Sequence, residues 1–497
     1  MQDAKAIWAR VAEFTGESNS MSQTFDVIIV GSGAGGASVG WRLIQAGRRV
    51  LMLEKGTVLP RDRSTLDVKQ VFKEGRFKNK ELWVDGYNKQ FIPGEYYNVG
   101  GKTKWYGAAL LRFSPHEFEA DPTHQCLGWP FGYDELAPWY DEAERLLAVH
   151  RFDNEPELQA LLDRITTADP AWRVEQLPLG LKREILQDPE EAKHFDGYAS
   201  PSGYKSDAEC NLLDPMQGNP VFTLMPGKTV AALASAPDNP LVITGVHCTD
   251  GSLYTAPAVV LAAGAMSSPR ILQDHMAATG LDRSLPSAPV VGGNFKMHIN
   301  SALLGFSAFK DEDVLRKTAI LYNDAFPHST VQCLGWIDGD ILETQLPAAV
   351  PKFVTHAIGR RAIGFFVTTE DGSDPHNRIV SGGQGGLPMM NYDLRRLKPA
   401  DKEHRRLIRA FIARLIREGL VGVDRYVGMA GTAHALGSMV MGDDPRTSVV
   451  DGHGRVHGMQ GLWVGDGSVL PRASRVNPAL SIYSLGLRLG AHLAEAL

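Results

Sequence analysis

Residues 25–54 read FDVIIVGSGAGGASVGWRLIQAGRRVLMLE, and this stretch narrows the possible folds more than any other. Val27 to Val30 is a short apolar run of the kind that forms a strand buried on both faces. Gly31, Gly33 and Gly36 follow at G-x-G-x-x-G spacing. Ala37 to Ala46 has helical character, and Gly47 stands where a helix C-cap would. A second apolar run, Val50 to Leu53, ends in Glu54. Each glycine has a separate task. Gly31 permits the tight turn, Gly33 lets backbone approach a pyrophosphate, and Gly36 lets the helix pack close to the strand. The helix start offers free N–H groups and the positive end of its dipole to phosphates, with Ser32 in the same turn. Glu54 lies 23 positions after Gly31, near the roughly 20 expected of a carboxylate that grips ribose hydroxyls. With 51 glycines in the chain, the bare spacing carries little weight; the strand, helix, second strand and terminal acid together carry the reading. A carboxylate at Glu54 repels a 2′-phosphate, so NADP is disfavoured and this segment leaves FAD and NAD open.

The chain has 497 residues, about three domains' worth by length. Net charge is −6 with no basic block, which argues against a nucleic-acid partner. No run approaches the roughly 18 apolar residues of a membrane helix. The first twenty residues lack the apolar core of a secretory signal, and Met21 could serve as a second start, so residues 1–21 read as an N-terminal extension. Cys126, Cys210, Cys248 and Cys333 are far apart and form no C-x-x-C pair. They read as buried fillers in a reducing compartment, and a cytoplasmic location is expected. No metal site is expected either; Asp371, Asp374 and His376 read as a solvated loop.

Further along, Val99 to Phe113 reads VGGKTKWYGAALLRF, and Gly100, Gly101 and Gly107 signal backbone passing close to something flat. Tyr133 to Ala148 is patterned as an amphipathic helix. Residues 151–215 read as polar, irregular surface insertion or lid. Val259 to Pro269, VVLAAGAMSSP, is a buried strand running into a turn and a helix start. Residues 300–425 alternate short apolar runs with Gly, Pro and Asp, as an antiparallel sheet would, with a helix at Lys402 to Leu420. The last block returns to nucleotide-domain character. It holds His434-Ala-Leu-Gly437-Ser438, Met441-Gly442, Arg455-Val-His457-Gly458, Leu462-Trp-Val464, Gly465-Asp466-Gly467-Ser468, Asn477-Pro478 and a terminal helix from Pro478 to Leu493.

These four motifs in this order, the glycine turn with its acid, Gly100-Gly101, AAGAMSSP and the C-terminal block, resemble the glucose–methanol–choline (GMC) oxidoreductases along nearly the whole chain. The resemblance implies a mixed α/β fold. A discontinuous, Rossmann-like FAD-binding domain is expected at 22–115, 215–298 and 430–497. A substrate domain with a mainly antiparallel sheet and flanking helices is expected at 116–214 and 299–429. It implies that His434 takes the proton of an alcohol, that Asn477 hydrogen-bonds its oxygen, and that the hydride goes to flavin N5. It implies FAD contacts from Gly31, Ser32, Gly33, Gly36, Glu54, Lys55, Gly100, Gly101, Thr103, Tyr106, Gly107, Val230, Ala263, Asp466, Gly467, Asn477 and Pro478. Thr103, Tyr106 and Gly107 would lie along the isoalloxazine, and the backbone near Val230 would meet the adenine. His453 and His457 read as structural, and His298, which follows Val291-Gly292-Gly293-Asn294, is expected near the flavin but is assigned no role.

The His/Asn pair resembles that of pyranose oxidases, glycoside 3-oxidases or dehydrogenases and cholesterol oxidases, and the segment Val99 to Phe113 resembles the sugar-oxidising branch most. That implies oxidation of a secondary hydroxyl, at C2 or C3, of a pyranose sugar or glycoside. Some relatives join the flavin to a His in the first segment. Here Lys104, Trp105 and Tyr106 occupy that region, so noncovalent FAD is expected. The electron acceptor would be oxygen or a quinone-like carrier, and the protein a monomer or homo-oligomer. The competing readings are a sterol or simple-alcohol oxidase, a nonredox flavin-containing lyase, and a binding protein that keeps the fold.

Overall fold

In the computed structural model, which describes residues 24–308, 312–345, 350–383, 385–429 and 431–497, the apolar runs of the sequence become the centre of a parallel sheet. Its strand order is Leu462–Val464, Ala258–Leu261, Val27–Val30, Val50–Glu54, Phe222–Pro226. All neighbours are parallel, with Val30 opposite both Leu261 and Leu53. Val27–Val30 and Ala258–Leu261 are buried throughout, which is why they carry no polar residue. The register brings three turns together at one sheet edge: the turn after Val30, Ala262–Gly264 after Leu261, and Gly465–Asp466 after Val464. Ligands of open α/β sheets bind at this carboxyl edge.

The helix Ala34–Gln45 packs on this sheet and against the C-terminal helix Ala479–Ala496. Their approach requires glycine. A Cβ on Gly486 would lie 2.6 Å from the Gly35 carbonyl oxygen, and one on Gly490 2.7 Å from that of Val39. The expected helices at 37–46 and 478–493 thus stand at Ala34–Gln45 and Ala479–Ala496.

The second sheet is antiparallel and six-stranded, in the order Val421–Tyr426, Ile299–Phe306, Ala362–Thr369, Ser329–Cys333, Ala319–Asn323, Trp172–Gln176. One face is covered by the helices Lys398–Arg417 and Pro156–Ala168 through Phe411, Leu407, Leu415, Leu161 and Ile165. Strand alternation decides which residues face away from those helices. Val331, Cys333, Phe365 and Val367 join that core, so Gln332 and Phe366, which alternate with them, point to the other side.

Two expectations are corrected. Residues 151–215 are not irregular throughout. They supply the helix Pro156–Ala168, whose Leu158, Leu161, Leu162 and Ile165 are buried, and the edge strand Trp172–Gln176. Asp371 is not in a solvated loop; it is 1% exposed and accepts hydrogen bonds from the Met297 and His298 amides and the Tyr392 hydroxyl. The cysteines are unpaired, three buried and Cys210 half-buried. No helix among the described residues is long and apolar enough to cross a membrane. The expected extension, residues 1–21, lies outside the described residues.

Candidate active site

The three turns at the parallel-sheet edge open into a cavity of about 740 Å³, within the size range of cofactor and small-ligand sites. It runs from Lys228–Val230 and Glu54 past the glycine turn to Thr103–Gly107, and ends against His434, Asn477, Phe366 and Lys317. Of the expected contact residues, all line it except Gly36 and Gly100. Gly36 serves packing instead, because a Cβ there would lie 2.1 Å from the Gly31 carbonyl oxygen. Gly100 is left-handed at φ +83, and its N–H donates to Ser32 Oγ at 3.1 Å, pinning the next segment over the glycine turn.

The turn itself is shaped for a pyrophosphate. Gly31 has φ +107, and a Cβ there would lie 2.3 Å from the Ala262 carbonyl oxygen, so only glycine fits. A Cβ on Gly33 would meet nothing within 4 Å, so its open side is free for close approach. The helix that starts at Ala34 carries no acid in its first turn to repel an anion. Glu54 accepts from Ser32 N–H and Oγ and from Gly56 N–H at 3.0, 2.7 and 2.8 Å, which fixes its carboxylate at the cavity wall. A carboxylate with about four lone-pair sites retains capacity for a ribose hydroxyl. Asp466 does different work. It accepts from Gly264 N–H, Ser268 Oγ and Ser468 N–H, tying two of the turns together, and burial raises its pKa. These features fit FAD.

Tyr106 donates its hydroxyl to the Ser206 carbonyl at 2.6 Å, and Thr103 donates to Gly100 at 2.6 Å. Beneath them Lys205, fully buried, donates its ammonium to the carbonyls of Tyr106, Phe195 and Tyr198. Burial pulls the Lys205 pKa down to about 7. Lys104, in the segment where some relatives carry a flavin-linking His, is buried between Asp207 and Glu209 at 2.9 and 2.8 Å.

His434 is placed by backbone. The segment after it runs beside the Asp466 turn, with Gly437 N–H donating to Gly467 O and Met439 N–H to Ser468 O. On its other side Lys296 and Leu436 exchange both backbone hydrogen bonds as an antiparallel pair. Two residues along, that register sets His298 opposite His434. Their Nδ1 atoms are 3.1 Å apart and their rings meet edge to face. His298 Nε2 lies 2.8 Å from the Ser474 carbonyl oxygen. The antiparallel sheet provides the opposite wall: Gln332 donates to Asn477 Oδ1, and Asn477 Nδ2 is 3.4 Å from His434 Nε2. Burial holds the His434 pKa well below its usual 6.5, and the neighbouring His298, Lys102 and Lys317 add to that. The ring is therefore neutral, and its open side faces the cavity.

Behind this wall lies a buried cluster. Arg472 forms two 2.8 Å hydrogen bonds to Glu370, which also accepts from Ser474 N–H at 3.0 Å and pairs with His328. Burial opposes ionisation of Glu370, but Arg472 and His328 outweigh it and hold its pKa far below the usual range. Sequence reasoning missed Gln332, the burial of Asp371 and this Arg472–Glu370 pair, and it placed His298 near the flavin without a role. Only His298 had a local signal, the glycine-rich turn that precedes it. Elsewhere His453 stacks on His492, and His457 bonds Ser448 and the Gly442 carbonyl.

The chain resembles known proteins that use FAD. Residues 26–313 match the family described as FAD dependent oxidoreductase, and residues 416–486 match GMC oxidoreductase. Paromamine 6′-oxidase of Streptomyces fradiae is 28% identical, over 94% of this chain and 90% of its own. The 6‴-hydroxyparomomycin C oxidase of Streptomyces lividus is 27% identical, over 97% and 93%. Among solved structures, pyridoxine 4-oxidase from Mesorbium loti superposes with TM-score 0.69 at 17% identity, covering 94% of this chain and 99% of that one. Formate oxidase of Aspergillus oryzae RIB40 gives TM-score 0.72 at 15% identity, covering 96% and 99%; these two likenesses concern the fold.

Proposed function

The chain belongs to the GMC oxidoreductases, FAD-dependent enzymes that act on alcohol groups, and from that premise we propose that it oxidises a ring hydroxyl, at C2 or C3, of a pyranose sugar or glycoside. The observation that carries the reading is the pairing of a neutral His434 with Asn477 at the end of the cavity. With an alcohol bound, the Asn477 Nδ2 N–H passes from His434 Nε2 to the alcohol oxygen as negative charge grows there, and the freed Nε2 lone pair accepts the hydroxyl proton. Bound FAD supplies the two-electron acceptor for the carbon's hydride. Gln332 keeps the Asn477 amide from turning.

The chamber beside this pair supports a polyhydroxylated substrate. Lys317, in an ion pair with Asp196 at 2.9 Å, faces it together with Lys102 and Thr432. A sterol would call for an apolar chamber instead. FAD is held without a covalent bond in this reading, by 22–115, 215–298 and 430–497, and the substrate by 116–214 and 299–429. Oxygen or a quinone-like carrier reoxidises the flavin.

A second reading has its own support. The names of the two Streptomyces relatives place oxidation at a 6′ position of paromamine and on a 6‴-hydroxyl compound, which points to an exocyclic hydroxymethyl of an aminosugar. Anaerobic stopped-flow reduction of the flavin by sugars, glycosides, aminoglycosides, sterols and small alcohols separates the readings. A keto sugar as product supports ring oxidation, an aldehyde supports the 6-position, and bleaching only by sterols or small alcohols overturns both. Mixing the reduced protein with oxygen or a quinone then identifies the acceptor.

A further inference from the structure

We propose that His298 is a positioning residue that holds His434 as the Nδ1–H tautomer, leaving the Nε2 lone pair to face the cavity. This rests on the reading of His434 as the base.

The argument starts at a carbonyl, which only accepts. His298 Nε2 lies 2.8 Å from the Ser474 carbonyl oxygen, so the His298 proton sits on Nε2. With both rings neutral, each imidazole carries one N–H, so His298 Nδ1 is bare and accepts. Its partner at 3.1 Å is His434 Nδ1, which must then be the donor. That empties Nε2 of His434. The other end of the chain of contacts is consistent with that result. With its Oδ1 engaged by Gln332, Asn477 turns its Nδ2 toward His434 Nε2, where a donor needs a lone pair.

The arrangement is held firmly. His298 and Ser474 both have left-handed backbones, at φ +62 and +67, where residues with side chains are uncommon. Such conformations persist when surrounding contacts fix them, and they concentrate at functional sites. Here buried carboxylates supply the contacts. Asp371 accepts the His298 N–H at 3.0 Å, and Glu370 accepts the Ser474 N–H at 3.0 Å. Glu117 accepts the Ser474 hydroxyl at 2.7 Å. The consequence for the proton transfer is direct. The alcohol proton moves to Nε2, the resulting imidazolium keeps its Nδ1–H bond to His298, and no rotation of the ring is needed. In the other tautomer Nε2 would already carry a proton and could not act as a base.

Nitrogen-15 NMR of the FAD-loaded protein with labelled histidine tests this. The His434 signals are identified by their loss in His434→Ala. The expected wild-type spectrum has protonated Nδ1 and bare Nε2 on His434. His298→Phe, which cannot accept, should shift His434 to Nε2–H or to a mixture, and His298→Gln, whose amide oxygen can accept, should restore Nδ1–H. Flavin reduction should slow by roughly 10–100-fold in His298→Phe with FAD retained, by analogy with the loss when the group orienting a metal-ligating histidine is removed. It should recover in part in His298→Gln. A wild-type His434 protonated on Nε2, or an unchanged tautomer in His298→Phe, overturns the proposal. If His298→Phe does not hold FAD, the wild-type spectrum alone decides. Failure of the base reading is distinguishable, because it shows as undiminished turnover in His434→Ala whatever the tautomer.

Discussion

The side-chain nitrogen of Asn477 lies 3.4 Å from Nε2 of His434, although 43 residues separate them in the chain. A turn beside the parallel sheet carries one, and the start of the C-terminal helix carries the other. The active form of this pair has an unprotonated ring. Because burial and then three cationic or protonatable neighbours lower the His434 pKa, the neutral form survives below pH 6.5. The rate constant for flavin reduction should stay level through neutral pH and fall only as pH drops through that lowered value. Asn477→Asp places a carboxylate beside the ring, favours the protonated form and should move the acid limb to higher pH. Stopped-flow pH profiles of both proteins check the sign; a limb that stays in place contradicts the pairing.

Glu54→Ala removes the acceptor for three hydrogen bonds that shape the glycine turn, as well as the proposed ribose contact. Bonds to a charged acceptor contribute about 1.5–3 kcal/mol each. FAD affinity should fall by roughly tenfold or more, a decade being about 1.4 kcal/mol. Titration of the apoprotein with FAD measures it, and an unchanged Kd counts against the contact.

Arg472→Ala leaves Glu370 buried without its principal counter-charge. Breaking one side of a buried pair costs about 3–5 kcal/mol. Chemical denaturation of the two proteins should show that loss. A change under about 1 kcal/mol would mean the pair is solvated.

Acid precipitation of the holoprotein should leave the yellow chromophore in the supernatant. Colour that remains with the pellet would show a covalent link and contradict the reading of the Lys104–Tyr106 region.

Much of the cofactor half was legible because its signals are local. The glycine turn, the buried strand at Val27–Val30 and the acid at Glu54 are all set within thirty residues, and the structure places them at one sheet edge. The C-terminal block was legible through its resemblance. The rest depends on distant partners. The strand Trp172–Gln176 pairs with Ala319–Asn323, nearly 150 residues on, and three of its five side chains are exposed, so no apolar alternation marks it. Asp371 looks like a loop acid until the amides of Met297 and His298 close on it from 74 and 73 residues away. His298 meets His434 only through the Lys296–Leu436 register, which no local pattern encodes.

Anaerobic mixing of the wild-type protein and His434→Ala with an oxidisable sugar or glycoside tests the central claim most directly. The account predicts rapid bleaching of the wild-type flavin and a rate lower by roughly 10²–10⁴-fold in the variant, with its FAD still bound. Bleaching at the wild-type rate in His434→Ala, or a wild-type flavin that no carbohydrate reduces, would contradict it.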